Sequence, residues 1–494
     1  MGVVVRQGAL ATITSYFGAF LGYFNALYFF PKFLDLDQLG LYRAVQYAAI
    51  TLVPLAQLGT MTIVVKHYPK YIKDREQYGD FVTFVIGVLL FGFTLFSCLF
   101  FAFHEPIFNF FEKNSPQVAD YDLLILFAVL AMVFNGVFEA FLRSRLNVFL
   151  PSLTREIGLK VGAFIAICLY HYQVISFDWF MGSFLVLNAL SAFTLLAHLV
   201  KHKAFPLRWP LRTISRRTGL EMVRFGGYAL LGSGVLVIIG NVDSIMISGL
   251  LGLSEVAIYS TAIMMTMVVD LARKGITQIN LPLMAEAFEQ QDIKRVSAIY
   301  KDTSITLVVI GLLLYVGITS NLQNLYSIMP NGEEFSQGYW VFVLVGAIRV
   351  VDMSLANNNA IIQLSPYYRF NIVTVIVLSV STVLTNLWLI PRYGLNGAAA
   401  ATFMAITIYG LLRGIFIYAI YRIQPYTWAS FKALILALLG LTVGLFLPVL
   451  PNVWLDMLVR SVLITLIYLP AVVALKLSPQ LNNVVAVAWA KVRK

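Results

Sequence analysis

The residues of this chain that could do chemistry are charged and amide side chains lying inside long apolar runs. Asp243, in Asn241-Val242-Asp243-Ser244, sits in a segment long enough to cross a bilayer. A charge at mid-membrane costs about 2.5–3.5 kcal/mol on insertion scales, so it is expected to face a protein interior or a watery cavity. Asn241, Ser244 and Ser248 share one helical face of that segment, at i, i+3 and i+7, with Asp243 on a neighbouring face. The next apolar run ends with Asp270, Arg273 and Lys274, spaced to meet over one turn. Later, Arg349 and Asp352 are three apart, and Asn357, Asn358 and Asn359 follow. Asn25, Arg43, Asn135 and Glu139 lie in earlier apolar runs. Such a set binds and passes a polar solute; transport is the first reading.

Each residue also has a structural reading. Arg349 and Asp352 can neutralise each other, and Arg273 and Lys274 can snorkel to the inner headgroups. Asn25 and Asn135 suit interhelical hydrogen bonds, and Met264, Met265 and Met267 suit packing. Asp243 is read as functional. The five histidines (His67, His104, His171, His198, His202) are scattered near span ends without metal-ligand spacing. No Gly-rich phosphate loop ends in Gly-Lys-Ser/Thr, and no Ser/His/Asp order stands out. The expectation is therefore no metal, no cofactor and no enzyme.

Composition places the chain in a bilayer. Of 494 residues, 60% are hydrophobic and 12% charged, with mean hydropathy +0.82. Soluble domains carry roughly 25% charged residues. Cys98 and Cys168 both lie in apolar runs, so no disulfide framework is implied. Arg6 precedes a long apolar run with no small-residue cleavage site, which reads as a retained first helix. Fourteen candidate spans start near Ala9, Ala44, Asp80, Asp122, Ser152, Trp179, Phe225, Glu255, Thr303, Gln337, Phe370, Asn396, Phe431 and Met457. With a cytoplasmic N-terminus, inside segments hold 29 of the 35 Lys and Arg, counting 143–160, 273–301 and 413–432 among them. That bias fits the positive-inside rule and puts both termini in the cytoplasm. The charge of +11 is thus topology, with no nucleic acid as partner.

The outside loops are too short for an enzyme domain. Inside, Met284, Phe288, Val296, Ile299 and Tyr300 recur at helical spacing among charges, which suits an interfacial helix or a solvated linker helix. The chain also repeats itself. Leu36-Asp37-Gln38-Leu39-Gly40-Leu41-Tyr42 is echoed by Leu253-Ser254-Glu255-Val256-Ala257-Ile258-Tyr259 at an offset of 217. Pro151…Arg155 is echoed by Pro366…Arg369, with 215 between the prolines. The expected fold is an all-α polytopic membrane protein built from a duplicated six-helix unit, both copies entering in one orientation. Its parts are an N-terminal lobe (1–205), a basic connector (206–224), a C-terminal lobe (225–425), two added helices (430–476) and a cytoplasmic tail (477–494).

These residues carry a family resemblance. Asp243…Gly252…Ala257-x-Tyr259…Ala262…Pro282 resembles the start of the second lobe in polysaccharide exporters (O-antigen flippases) of the multidrug/oligosaccharidyl-lipid/polysaccharide flippase superfamily. So does Asn386-x-x-Leu389-Ile390-Pro391-x-Tyr393-Gly394-Leu395-x-Gly397-Ala398-Ala399-Ala400-Ala401-Thr402, the most specific block. In the first half, Leu36…Gly40-x-Tyr42, Gly59 and Pro69 match, and the likeness covers roughly residues 6–420. Ala257 departs, standing where the family commonly has Gly.

The resemblance implies a two-lobed fold of the multidrug-exporter (MATE-like) type. It implies a flippase moving undecaprenyl-pyrophosphate-linked oligosaccharide from the inner to the outer leaflet of the bacterial inner membrane. The sugars then enter O-antigen (lipopolysaccharide), capsule or another exopolysaccharide. Such a substrate needs cations for its pyrophosphate, for which Arg43, Arg273, Lys274 and Arg349 are candidates. Asn25, Asn135, Asn241 and Asn357 are candidates for the sugar hydroxyls. Gly226, Gly227, Gly232 and Gly234 would allow the seventh span to bend. The inside-negative potential contributes about 2.3 kcal/mol per charge per 100 mV, and outward anion movement runs with it. Alternatively Asp243 or Asp352 couples transport to protons. The partners implied are the lipid-linked oligosaccharide, membrane lipids and polymerase machinery. A cation-coupled multidrug antiporter and a lipid II flippase are the alternatives.

Overall fold

The computed structural model describes residues 2–210 and 212–483, with backbone alone for residues 2–6, 9, 271, 272, 274 and 278. The described residues form helices and no strand. The spanning rods are α1 (Gly2–Phe24), α2 (Leu36–Gln57), α3 (Arg75–Ala102), α4 (Asp122–Ser144), α5 (Leu159–His171), α6 (Phe177–Lys201) and α7 (Val235–Leu250). They continue as α8 (Leu253–Glu289), α9 (Ile293–Ser320), α10 (Tyr339–Ser354), α11 (Phe370–Tyr421), α12 (Trp428–Phe446) and α13 (Val453–Ala474).

Eleven helical segments are long and apolar enough to cross a membrane. One of them, α11, is two arms folded at Gly394, and α1 and the Leu153–His171 rod complete the fourteen expected from hydropathy. The protein is a multi-pass membrane protein.

Helix starts are set by short polar side chains satisfying the first free N–H groups. Asp35 caps α2 by accepting from Gln38 N at 2.7 Å, and Asp74 caps α3 from Glu76 N at 2.8 Å. Asp292 caps α9 and Asn452 caps α13 in the same way. The fold in α11 rests on Gly394, whose φ of 58° with ψ of −134° is open to glycine and strained for any other residue. The two arms then close so tightly that a Cβ on Gly397 would lie 2.1 Å from the Leu389 carbonyl oxygen. The Pro-x-Tyr-Gly-x-x-Gly block is therefore a helical hairpin. Three rods carry π-turns (Asn25–Phe29, Leu153–Gly158 and Leu230–Gly234), the last among the glycines expected to bend the seventh span.

The chain divides into two compact units, Met1–Ala257 and Ile258–Lys494. In the first, α4 packs on α6, and α2 lies against both α4 and α7. A Cβ on Gly40 would lie 1.8 Å from the Leu253 carbonyl oxygen, so only glycine lets the two backbones meet. The seventh-span rod thus belongs with the first unit by contact, although it follows the basic connector in sequence. That connector is held by Asp80 of α3, fully buried, whose Oδ2 accepts from Arg212 N, Thr213 N and Thr213 Oγ1 at 2.7–2.8 Å.

In the second unit, α9 packs against α10, α12 and α13. The apolar positions read as an interfacial or linker helix pack on other helices of this unit. The chain continues as one helix through α8 to Glu289, turns at 290–292 and returns as α9. Met284, Val296 and Tyr300 are buried against Ile361, Ile362, Ile417 and Ile423. Their periodicity is that of a helical hairpin packed on other helices.

Candidate functional site

Two groups of buried polar residues lie inside the units, one in each. In the first unit, Arg43 sits early in α2 and is 5% exposed. Its guanidinium lies 5.8 Å from the Phe30 ring centroid, and Nε and Nη2 have no hydrogen-bond partner. No carboxylate pairs with it among the described residues. A buried cation without a counter-charge is expensive, so it marks a place where an anion is welcome.

The other expected residues of this unit are engaged. Asn25 donates to the Lys160 carbonyl at 2.7 Å and Asn135 to Ser191 Oγ at 3.0 Å, both bonds joining separate rods. Asn241 donates to the Val237 carbonyl of its own helix at 2.8 Å. Asp243 is half-buried on α7. An ionic chain not assembled from sequence runs nearby. Glu139, 5% exposed, pairs with Arg143 and with Arg155 at 3.3 Å; Arg155 and Lys160 both pair with Glu156, at 3.3 and 2.9 Å. Counting 143–160 as a cytoplasmic loop hid it. The i,i+4 spacing of Glu139–Arg143 and Glu156–Lys160 is the signal that could have shown it.

In the second unit, Arg273 of α8 pairs with two carboxylates, Asp270 at 2.8 Å and Asp352 of α10. Asp352 is therefore spent on Arg273, not on Arg349 as its spacing suggested. Arg349 is half-buried, forms no ion pair among the described residues and leaves Nε without a partner. The Lys274 side chain lies outside the described residues. Asn357 is 3% exposed, with Nδ2 unpartnered. Asn358 accepts from the Tyr300 hydroxyl, and its own Nδ2 is also unpartnered.

The residue that sequence reasoning missed is Arg413. Counted with the inside segment 413–432, it is 6% exposed on the second arm of α11. It donates to Asn359 Oδ1 at 2.7 Å, Asn371 Oδ1 at 2.9 Å and the Tyr409 hydroxyl at 2.5 Å. All three acceptors are neutral. A charge count along the chain cannot separate such a residue from a loop cation; the unbroken helical pattern through 403–417 could have.

Chemically, these groups can hold anions and hydroxyls. Among the described residues no group of three or more His, Cys, Asp or Glu could hold a metal ion. No curated protein matches the chain by sequence. In structure it is similar to the lipid II flippase MurJ in an inward closed conformation, at 15% identity and TM-score 0.74, covering 93% of this chain and 98% of that one. It is similar to an inward-facing multidrug resistance MATE family transporter of the MOP superfamily, at 14% identity and TM-score 0.65, covering 84% and 98%. It is also similar to the Vibrio cholerae MATE transporter VcmN (D35N mutant), at 12% identity and TM-score 0.56, covering 85% and 98%. At these identities the likeness establishes the fold, that of the MOP superfamily. The sequence model described as polysaccharide biosynthesis protein matches residues 5–288, more than half of the chain, and the protein belongs to that family.

Proposed function

We propose that this protein is a flippase for undecaprenyl-diphosphate-linked oligosaccharides. It moves them from the inner to the outer leaflet of the bacterial inner membrane for polysaccharide assembly, with both termini cytoplasmic. The observation that carries the reading is Arg43, a buried guanidinium with no counter-charge among the described residues, inside a protein of this family. A diphosphate is the anion that arginine grips best, through paired N–H donors. The polyprenyl tail stays in lipid while the headgroup passes, and the two repeated lobes, 1–205 and 225–425, rock to admit it from either side. The protein carries its substrate unchanged and is not an enzyme. Asp243 and Asp352 are the carboxylates that would couple the step to protons, Arg273 is the counter-charge of Asp352, and Lys274 lends positive charge.

A lipid II flippase is the second reading, favoured by the structural likeness to MurJ, and it presents the same diphosphate. A multidrug antiporter for cations is disfavoured by uncompensated arginines. The test is the sidedness of lipid-linked oligosaccharide in cells lacking the protein. Accumulation on the inner leaflet, cleared by the wild-type chain and not by Arg43→Ala, supports the reading. An unchanged distribution refutes it.

A further inference from the structure

The second unit holds an unusual surplus of hydrogen-bond donors. Arg349 Nε, Asn357 Nδ2, Asn358 Nδ2 and Arg413 Nε are all buried without an acceptor. They lie on α10, on the turn and short helix (Asn358–Leu364) that follow it, and on the second arm of α11. Buried donors are normally paired, since each orphan forfeits its hydration. The charges lean the same way. Three guanidiniums (Arg273, Arg349, Arg413) face two carboxylates (Asp270, Asp352), and both carboxylates are tied to Arg273. Arg413 hydrogen-bonds only to neutral oxygens, with the Asp352 carboxylate acting on it through space and not by contact.

These features are linked in space. Asn359 receives Arg413, while its chain neighbour Asn358 receives Tyr300, so one short stretch of backbone holds the guanidinium and two of the orphan amides. Asn371 and Tyr409 fix the other edges of the guanidinium, so it does not swing toward Asp352.

We infer that Arg413, with the neighbouring Asn357 and Asn358 amides as further donors, forms an oxyanion site for a phosphate group. The site rests on the flippase reading only for its natural occupant, the diphosphate of the lipid-linked sugar. Asn359 and Asn371 are positioning residues: they hold the guanidinium with neutral oxygens and leave its charge for the ligand. Arg273, by contrast, is already neutralised and does not provide the primary contact.

The experiment uses the full-length protein in phosphatidylcholine nanodiscs, titrated with inorganic pyrophosphate. Binding is read by calorimetry and by melting temperature. The wild type is expected to bind. Arg413→Gln should weaken binding by about tenfold or more, the scale of one lost charge-assisted contact. Asn359→Asp supplies a counter-charge to Arg413, so it should weaken pyrophosphate binding at least as much as Arg413→Gln does, while raising the melting temperature of the free protein. That second variant keeps the test alive where Arg413→Gln does not fold. Wild-type affinity in Asn359→Asp, or no binding by the wild type, overturns the site.

Competition separates the occupants. Displacement of pyrophosphate by farnesyl diphosphate and not by phosphatidylglycerol supports the substrate's diphosphate. Displacement by phosphatidylglycerol alone overturns that assignment in favour of a bilayer headgroup. Pyrophosphate binding that survives in a protein failing the cellular sidedness test refutes the flippase and leaves the anion site standing.

Discussion

Ser254 Oγ donates a hydrogen bond to Asp37 Oδ1 at 2.6 Å, across 217 residues of sequence. That separation equals the offset of the internal repeat, so each residue occupies the same position in its own copy of the motif. The contact lies inside the first compact unit, Met1–Ala257. The adjacent contact of Gly40 with the Leu253 backbone, and the bonds from Asn114 to the Gly249 carbonyl (2.8 Å) and Ser115 to the Ser248 carbonyl (2.7 Å), extend the junction.

This junction must part if transport exposes the site on its side. In a background with Cys98 and Cys168 replaced by serine, the pair Asp37→Cys and Ser254→Cys is expected to cross-link under mild oxidation. Polysaccharide export should stop when the link forms and return on reduction. Export at full rate with the cross-link complete would show that the junction is static.

Two glycines of the α11 hairpin separate strain from clash. Gly394→Ala meets open space but holds an unfavourable backbone angle, and should lower stability by about 1–3 kcal/mol. Gly397→Ala drives a Cβ into the Leu389 carbonyl at 2.1 Å and should destabilise through opening of the hairpin. Melting curves in detergent with equal values for the two variants and the wild type would contradict this account.

Much of this architecture was legible in the sequence. Hydropathy gave the fourteen rods because a bilayer demands about 20 apolar residues per crossing. The pairing of cations was not legible there. Asp352 had a partner three residues away in Arg349 and took one from another helix, Arg273. Arg413 and Arg155 looked like loop cations because a topology count sees position along the chain, whereas burial is decided by which helices close around a side chain. The Met284–Tyr300 stripe misled for the same reason: helical spacing announces an apolar face and is silent on what covers it.

The turn between the two C-terminal helices is held by a buried ion pair within α13. Arg460 and Asp456 meet at 2.7 Å, with exposures of 7% and 2%, and Asn324 donates to Asp456 at 2.5 Å from the segment following α9. Arg460 also donates to the carbonyls of Gly444, Leu447 and Pro448, closing the α12–α13 turn. Removing one member of such a pair leaves the other charge buried. Asp456→Ala is therefore expected to cost about 3–5 kcal/mol. The joint change Asp456→Asn with Arg460→Met should cost less. A melting temperature of Asp456→Ala equal to that of the wild type would contradict this role.

Asp80 makes the connector part of the first unit. Asp80→Asn turns one charged acceptor for three donors into a neutral amide, with an expected loss of about 1–3 kcal/mol of local stability. Limited proteolysis in membrane vesicles should then cut within residues 206–215 several-fold faster than in the wild type. An unchanged cleavage rate would mean that other contacts hold the segment.

The proposed activity is carriage of a diphosphate-linked sugar across the bilayer. Its most direct measurement is translocation by the purified chain in liposomes, using a fluorescent polyprenyl-diphosphate oligosaccharide whose exposed fraction is read by an impermeant quencher. The account predicts crossing that depends on the protein and falls severalfold in Arg43→Ala. Protein-free rates for this lipid, alongside protein-dependent uptake of a cationic drug, would contradict it.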